Sequence, residues 1–337
     1  MNMKKVSVVL TLLVGLTLVL GFAVQGRRGI DNSPLMDDER PITPDNVFQV
    51  RVDGTVRVNG LDFASMSDYY RSEYFKVNHM RCKVLNRPEH MERLSVVKAK
   101  PGGGGGGSDC DNSKTVIKSQ YNINRNVNIV FHVLYSGSNG YIPVDQIERQ
   151  VAVMNDDYQG TGISFTLAGV TYHENNQWFN DRRESQYKSA TGWDRNAYFN
   201  VWTNTASGYL GYSYLPAGSA GSVYDGVVLN YQACGGRNEG SAPYDQGRTL
   251  VHEAGHYFGL LHTFDGGCCD GYTCGDLIND TNAESTPFYY CGPRTTCGSP
   301  DPTTNYMDYS EDLCMYEFTS EQENRMGCSI LTYRAGL

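Results

Sequence analysis

The sequence predicts an α/β fold with a twisted, mostly parallel sheet, and three observations carry that reading. A strand, a helix and a strand follow one another between Asn126 and Val170; two further β-rich runs come after them; cysteine-rich loops fill the stretch from Gly266 to Pro302. Asn126 to Tyr135 (N-V-N-I-V-F-H-V-L-Y) has the β-branched and aromatic content of a buried strand, and His132 within it reads as a core histidine. Asp145 to Tyr158 places Ile147, Val151, Met154 and Tyr158 on one helical face, and Asp145 with Glu148 has the spacing of a capping box. Ile163 to Val170 returns as a strand, which makes the unit a parallel crossover. Ala197 to Thr203 and Gly226 to Tyr231 add two strands, with Leu210 to Leu215 between them as an edge strand able to align an extended peptide. Thr319 and Gln322 have capping-box spacing at the start of a last helix, and Met326 and Ile330 follow at helical intervals.

At 337 residues the chain is long enough for one or two domains plus attachments. A net charge of -9 with no basic block argues against nucleic acid as a partner. Ten cysteines, 24 tyrosines and 37 glycines fit a loop-rich protein of an oxidising compartment. Lys4 and Lys5 precede an uncharged run from Val6 to Val24, with Gly21-Phe22-Ala23 as a cleavage site, so residues 1–25 read as a signal peptide. The run is also long enough to span a bilayer as an uncleaved anchor. Both readings place the remainder outside the cytosol; the expectation is a secreted protein with no stable membrane association after cleavage. Residues 26–101 are polar and mixed, and end at Pro101 before the unbroken glycines Gly102 to Gly107. Such a run holds no fixed backbone, so 102–109 reads as a linker. The segment before it reads as a removable pro-segment, with a retained accessory module as the alternative, and 110–337 as the main domain.

Thr249 to Phe264 (T-L-V-H-E-A-G-H-Y-F-G-L-L-H-T-F) concentrates the chemistry. Helical positions four apart differ by about 40°, so His252 and His256 share a face and can share one cation. Glu253 flanks that cation without binding it, placed to take a proton from a water there and pass it to a leaving amine. On a continued helix His262 would point elsewhere, so the helix must stop, and Gly259 is the residue type that takes the positive φ to end it. Three neutral imidazoles with an open fourth position describe a catalytic zinc site. Bare H-E-x-x-H occurs by accident in unrelated helices; Gly259 and His262 make accident rare.

Downstream stands Asn305-Tyr306-Met307-Asp308-Tyr309. The extended zinc motif followed by N-Y-M-D-Y resembles the pappalysin family of metzincin metallopeptidases, with its ulilysin-like and fungal extracellular members. The flanking E-F-T-S-E-Q-E-N-R-M and Y-L-G-Y-S-Y-L-P are similar as well, so the resemblance covers roughly 125–334. It implies a metzincin-like zinc peptidase fold, with an active-site helix, a twisted mostly parallel sheet and a disulfide-rich C-terminal subdomain. It implies a zinc metalloendopeptidase acting on protein or peptide substrates, with His252, His256 and His262 on Zn2+, Met307 beneath the metal and Glu253 and Tyr309 as catalytic groups. The rival readings are a non-catalytic secreted zinc-binding protein and the same protease held on a membrane anchor.

Eight cysteines lie between Cys234 and Cys328, and spacing alone leaves their pairing open. The resemblance favours Cys274 with Cys297 and Cys291 with Cys314; Cys268 and Cys269, being adjacent, read as pairing outward. Cys82, in M-R-C-K, stands where related pro-segments carry a cysteine whose thiolate closes the zinc site, although Lys83 departs from the usual R-C-G. A Cys82 to Cys110 disulfide is the other reading. Asp276, Asp280 and Thr281 resemble a Ca2+-binding region of ulilysin-like relatives, with Asn282 where they have Pro; a solvated acidic loop has the same sequence. Asn279-Asp280-Thr281 is also a glycosylation sequon.

Overall fold

The computed structural model describes residues 48–83, 119–236, 242–272 and 274–337. The expected signal peptide, the glycine linker, Cys110 and the remainder of segment 26–101 lie outside the described residues.

Strand β4 (Arg125–Tyr135), helix α3 (Val144–Asp157) and strand β5 (Ile163–Glu174) form the expected crossover, with β4 and β5 paired in parallel. Strands β6 (Phe199–Asn204) and β8 (Val227–Asn230) extend the sheet in parallel, and the short β7 (Gly211–Tyr212) closes it antiparallel to β8. The order is β5-β4-β6-β8-β7. Val127, Ile129, Val130, Phe131, Val133 and Leu134 are all fully buried, because a central parallel strand is covered on both faces. His132 is a core residue: it lies between the Thr171 hydroxyl at 2.8 Å and Asn200 Oδ1 at 2.9 Å, stacked on Trp202.

Two local expectations need correction. The helix expected from Asp145 starts at Val144 after Pro143, with no side-chain cap, so Asp145 lies inside the first turn and pairs with Arg149 at 2.8 Å instead. The edge strand expected over Leu210 to Leu215 is regular only at Gly211–Tyr212, since Pro216 follows closely and opens a helical turn. The last helix, Ser320–Tyr333, has the expected capping box from Thr319 and Gln322.

The described part of the N-terminal segment has structure that its composition did not announce. Strands β1 (Phe48–Val50), β2 (Val56–Val58) and β3 (Leu61–Phe63) make an antiparallel sheet, followed by helices α1 (Met66–Arg71) and α2 (Glu73–Val77) with serine caps at Ser65 and Ser72. Its aromatic residues join the main core. Phe48 packs on Tyr231, Tyr70 and Phe75 pack on Tyr244, and the Tyr69 hydroxyl donates to Gly208 O at 2.6 Å. Among the described residues no helix is long and apolar enough to cross a membrane.

Candidate active site

The zinc stretch folds as its spacing requires. Helix α4 (Arg248–Tyr257) carries His252, Glu253 and His256, all buried, and is capped by Phe258. Gly259 takes φ +99°, and the chain turns back to bring His262 alongside. The facing Nε2 atoms lie 3.1 Å apart for His252 and His256 and 3.0 Å apart for His256 and His262.

The donor set fits a metal cation. His252 Nδ1 faces Tyr306 O at 2.6 Å and His256 Nδ1 faces Leu260 O at 2.8 Å. A carbonyl only accepts, so each Nδ1 carries the proton and each Nε2 presents a bare lone pair, a tautomer assigned by the hydrogen bonds. Bare lone pairs 3 Å apart repel, and a cation at their focus turns that repulsion into coordination. Burial, reinforced by neighbouring imidazoles and the Arg81 charge, pushes His252 and His256 far below the ordinary histidine range; burial and Arg81 bring His262 to about 3. All three are therefore neutral, the form that ligates.

Met307 lies beneath the helix, its sulfur against Gly255, where a Cβ would overlap it. Its amide N–H donates to Asn305 Oδ1 at 2.9 Å, and Asn305 is locked to Gln322 of the last helix. Tyr309, two residues on, sets its ring 5.0 Å from that of His262 and 5.8 Å from that of His252. Its hydroxyl donates to Cys82 O at 3.3 Å. Burial pushes the Glu253 carboxyl up to about 7, with the Cys82 thiol, the Arg81 charge and the Ser213 hydroxyl working in the opposite direction.

Cys82 reaches the same point: its sulfur and one nitrogen from each of His252, His256 and His262 all lie within 4.8 Å of one another. Its side chain is buried, as is that of Cys234; the alternative disulfide with Cys110 falls on a residue outside the described ones. Backbone bonds from Leu210 N to Met80 O (3.0 Å) and from Lys83 N to Gly211 O (3.2 Å) lay the segment along β7. Arg81 is fully buried beside it. Its Nη1 donates to Thr249 Oγ1 at 3.1 Å, its guanidinium covers the Tyr244 ring, and Asp312 Oδ1 stands 3.9 Å from its Nη2.

Sequence reasoning did not single out Arg81, Asp312, Gly211 or Ser213 as part of the site. The only local signal was adjacency: Arg81 precedes Cys82, and Gly211 and Ser213 lie in the G-Y-S-Y run. The disulfides also differ in part. Cys291–Cys314 is as expected, but Cys274 pairs with Cys269, and Cys297 with Cys268. Gly271, at positive φ, lies within the short Cys269–Cys274 loop, and Gly275 just after it lies so close to Cys269 O that a Cβ would stand 2.5 Å away. Asp276 is buried and accepts from Thr281 Oγ1 at 2.7 Å, whereas Asp280 is exposed and accepts from Glu321 N at 3.0 Å. Asn279, between them, is exposed.

Residues 181–330 match the family profile Peptidase_M43, described as pregnancy-associated plasma protein-A. An extracellular metalloprotease of Colletotrichum graminicola is 40% identical over 220 residues, covering 62% of this chain and 78% of the relative. The chain belongs to the pappalysin family of metallopeptidases. Extracellular metalloprotease 1 of Coccidioides posadasii, 39% identical, covers 62% of the chain and 78% of its own length. Among solved structures, this pappalysin is similar to mature mirolysin of Tannerella forsythia in complex with a cleaved peptide, at 28% identity and a TM-score of 0.54, over 63% of this chain and 96% of that one. A promirolysin variant from the same organism gives 26% identity and a TM-score of 0.59, over 79% of this chain and 95% of that one. The wider coverage of the precursor is where the N-terminal segment enters the match. As a pappalysin, the protein has the metzincin fold and is a metalloendopeptidase, not a non-catalytic binding protein.

Proposed function

We propose that the chain is a secreted zinc endopeptidase made as a latent precursor, in which Glu253 handles the proton of the attacking water and Cys82 holds the site closed. The observation that carries this reading is the convergence of Cys82 with three buried, neutral histidines beside a buried glutamate. Extracellular placement is supported by the relatives' names and by the Val6 to Val24 run.

His252, His256 and His262 would hold the zinc, which supplies Lewis acidity to acidify a coordinated water and polarise the scissile carbonyl. Glu253 takes the water's proton and returns it to the departing nitrogen, without which an amide leaves poorly. Its buried carboxyl, raised to about 7, gives a proton affinity suited to both tasks near neutral pH. The Tyr309 hydroxyl, which here donates to Cys82 O, is released when the segment leaves and can donate to the oxyanion as the carbonyl turns tetrahedral. Tyr306 O and Leu260 O keep the histidine rings in the ligating tautomer.

In the latent state the segment before the glycine linker occupies the substrate's place along β7, with Cys82 over the histidines and Arg81 in a neighbouring pocket. That pocket contains the Asp312 carboxylate, whose Oδ1 makes no hydrogen bond. Removing the segment uncovers Asp312, so the pocket suits a basic side chain of a peptide substrate. The test compares the intact zinc-loaded chain, its Cys82→Ala variant and the chain freed of the N-terminal segment, each with and without Glu253→Gln. The reading expects peptide cleavage by the second and third only, abolished by the glutamine. Equal cleavage with glutamine would remove the role of Glu253, and an intact chain as active as the freed one would remove latency.

A further inference from the structure

We infer that Ser213, the residue that follows β7, is a positioning residue for Glu253, and that with Gly211 of the strand it makes a seat for the catalytic carboxylate. The inference rests on the role of Glu253 proposed above and concerns what holds that side chain once the N-terminal segment has gone.

Alternate residues of a strand face the same way. On the outward face Tyr212 donates its hydroxyl to Asp181 Oδ1 at 2.8 Å and meets the Tyr187 hydroxyl at 3.1 Å, so β7 is pinned from behind. On the inward face both neighbours of Tyr212 touch Glu253. A Cβ on Gly211 would lie 2.8 Å from Glu253 Cγ and 3.2 Å from its Oε1, and no positive φ calls for glycine there. The glycine is therefore a matter of room for the glutamate, not of backbone conformation. Two residues on, the buried Ser213 hydroxyl stands 3.0 Å from Glu253 O and 3.3 Å from its Oε2, sharing one proton between them.

The carboxylate has few other anchors. Glu253 Oε1 is buried without a hydrogen-bond partner, and Cys82, whose thiol also favours the ionised carboxyl, belongs to the segment that the proposed maturation removes. Among the described residues Ser213 is then the donor that remains on the carboxylate after maturation. A glutamate has three side-chain torsions to fix, and a base displaced by a fraction of an ångström loses overlap with the proton it must take. Because the hydroxyl acts on the base and not on the substrate, its loss falls on turnover and spares binding.

The experiment uses zinc-loaded protein folded as the full chain and then matured by removal of its N-terminal segment, carrying Ser213→Ala, Ser213→Thr or Glu253→Gln. A hydrogen bond to a charged group is worth a rate factor of about ten or more. Ser213→Ala should lower kcat by about tenfold or more while KM stays within about twofold. Zinc content and unfolding midpoint should match the parent, and Ser213→Thr, which keeps the hydroxyl, should recover most of the loss. An unchanged kcat in Ser213→Ala overturns the inference. So does a loss shared equally by the threonine variant, or one that tracks loss of zinc, since either marks a packing role. Full activity in Glu253→Gln would instead remove the mechanism beneath it.

Discussion

Arg81→Ala in the intact chain tests the proposed latency. The guanidinium is fully buried, donates to Thr249 and is the cation facing Asp312 Oδ1, while Asp312 Oδ2 is already satisfied by Gln246 N at 3.0 Å and Arg248 N at 3.2 Å. Removing one member of a buried pair costs about 3–5 kcal/mol. The half-satisfied carboxylate and the 3.9 Å separation place this case at the lower end. A cost of about 3 kcal/mol shifts the ratio of open to closed forms by roughly 150-fold. Cleavage of a fluorogenic peptide by the intact chain should rise by that factor, with a gel showing that the chain is uncut during the measurement. The effect has a pH signature. Burial raises the Asp312 carboxyl to about 6 against the opposing pull of Arg81, so it is charged at pH 8 and neutral at pH 5. The substitution should therefore open the chain far more at pH 8 than at pH 5, where little charge is left uncompensated. An intact Arg81→Ala chain as silent as its parent at pH 8, or a leak independent of pH, would refute the reasoning.

Asp312→Asn in the matured enzyme should lower kcat/KM for peptides with arginine or lysine near the scissile bond by about tenfold and leave neutral peptides unaffected, as a peptide-library profile would read; equal losses across the library would reject the basic pocket. Gly259→Ala places a Cβ in a φ +99° backbone within 2.9 Å of Ser329 Oγ. Strain of about 1–2 kcal/mol at the turn that carries His262 should weaken zinc retention in a chelator titration more than it lowers the unfolding midpoint. Asp276 is raised to about 7 by burial, so between pH 4 and 7 the folded state binds the proton more firmly than the unfolded chain. Its contribution to stability is complete below pH 4 and lost as pH rises through 7. Urea midpoints should fall from pH 5 to 8, less so in Asp276→Asn; a rise on adding calcium at pH 8 that Asp276→Asn removes would instead mark this loop as an ion site.

The sequence by itself determined what local rules govern. A helix of fixed period puts His252 and His256 on one face, a glycine is what lets the chain turn back to His262, and β-branched runs mark the strands that became β4, β5, β6 and β8. The Asp145 capping box failed within that same local register, because the N-cap is Pro143, two residues before Asp145. Tertiary structure decided everything that joins distant residues: which cysteines pair, that Cys82 points at the histidines, that Arg81 lies against Asp312, and that Ser213 sits on Glu253. Torsional preference and side-chain period act over a few residues, so they leave a mark in the string of letters. A hydrogen bond between residues 40 positions apart, or an ion pair spanning 231, leaves none until the sheet and its loops have closed around it.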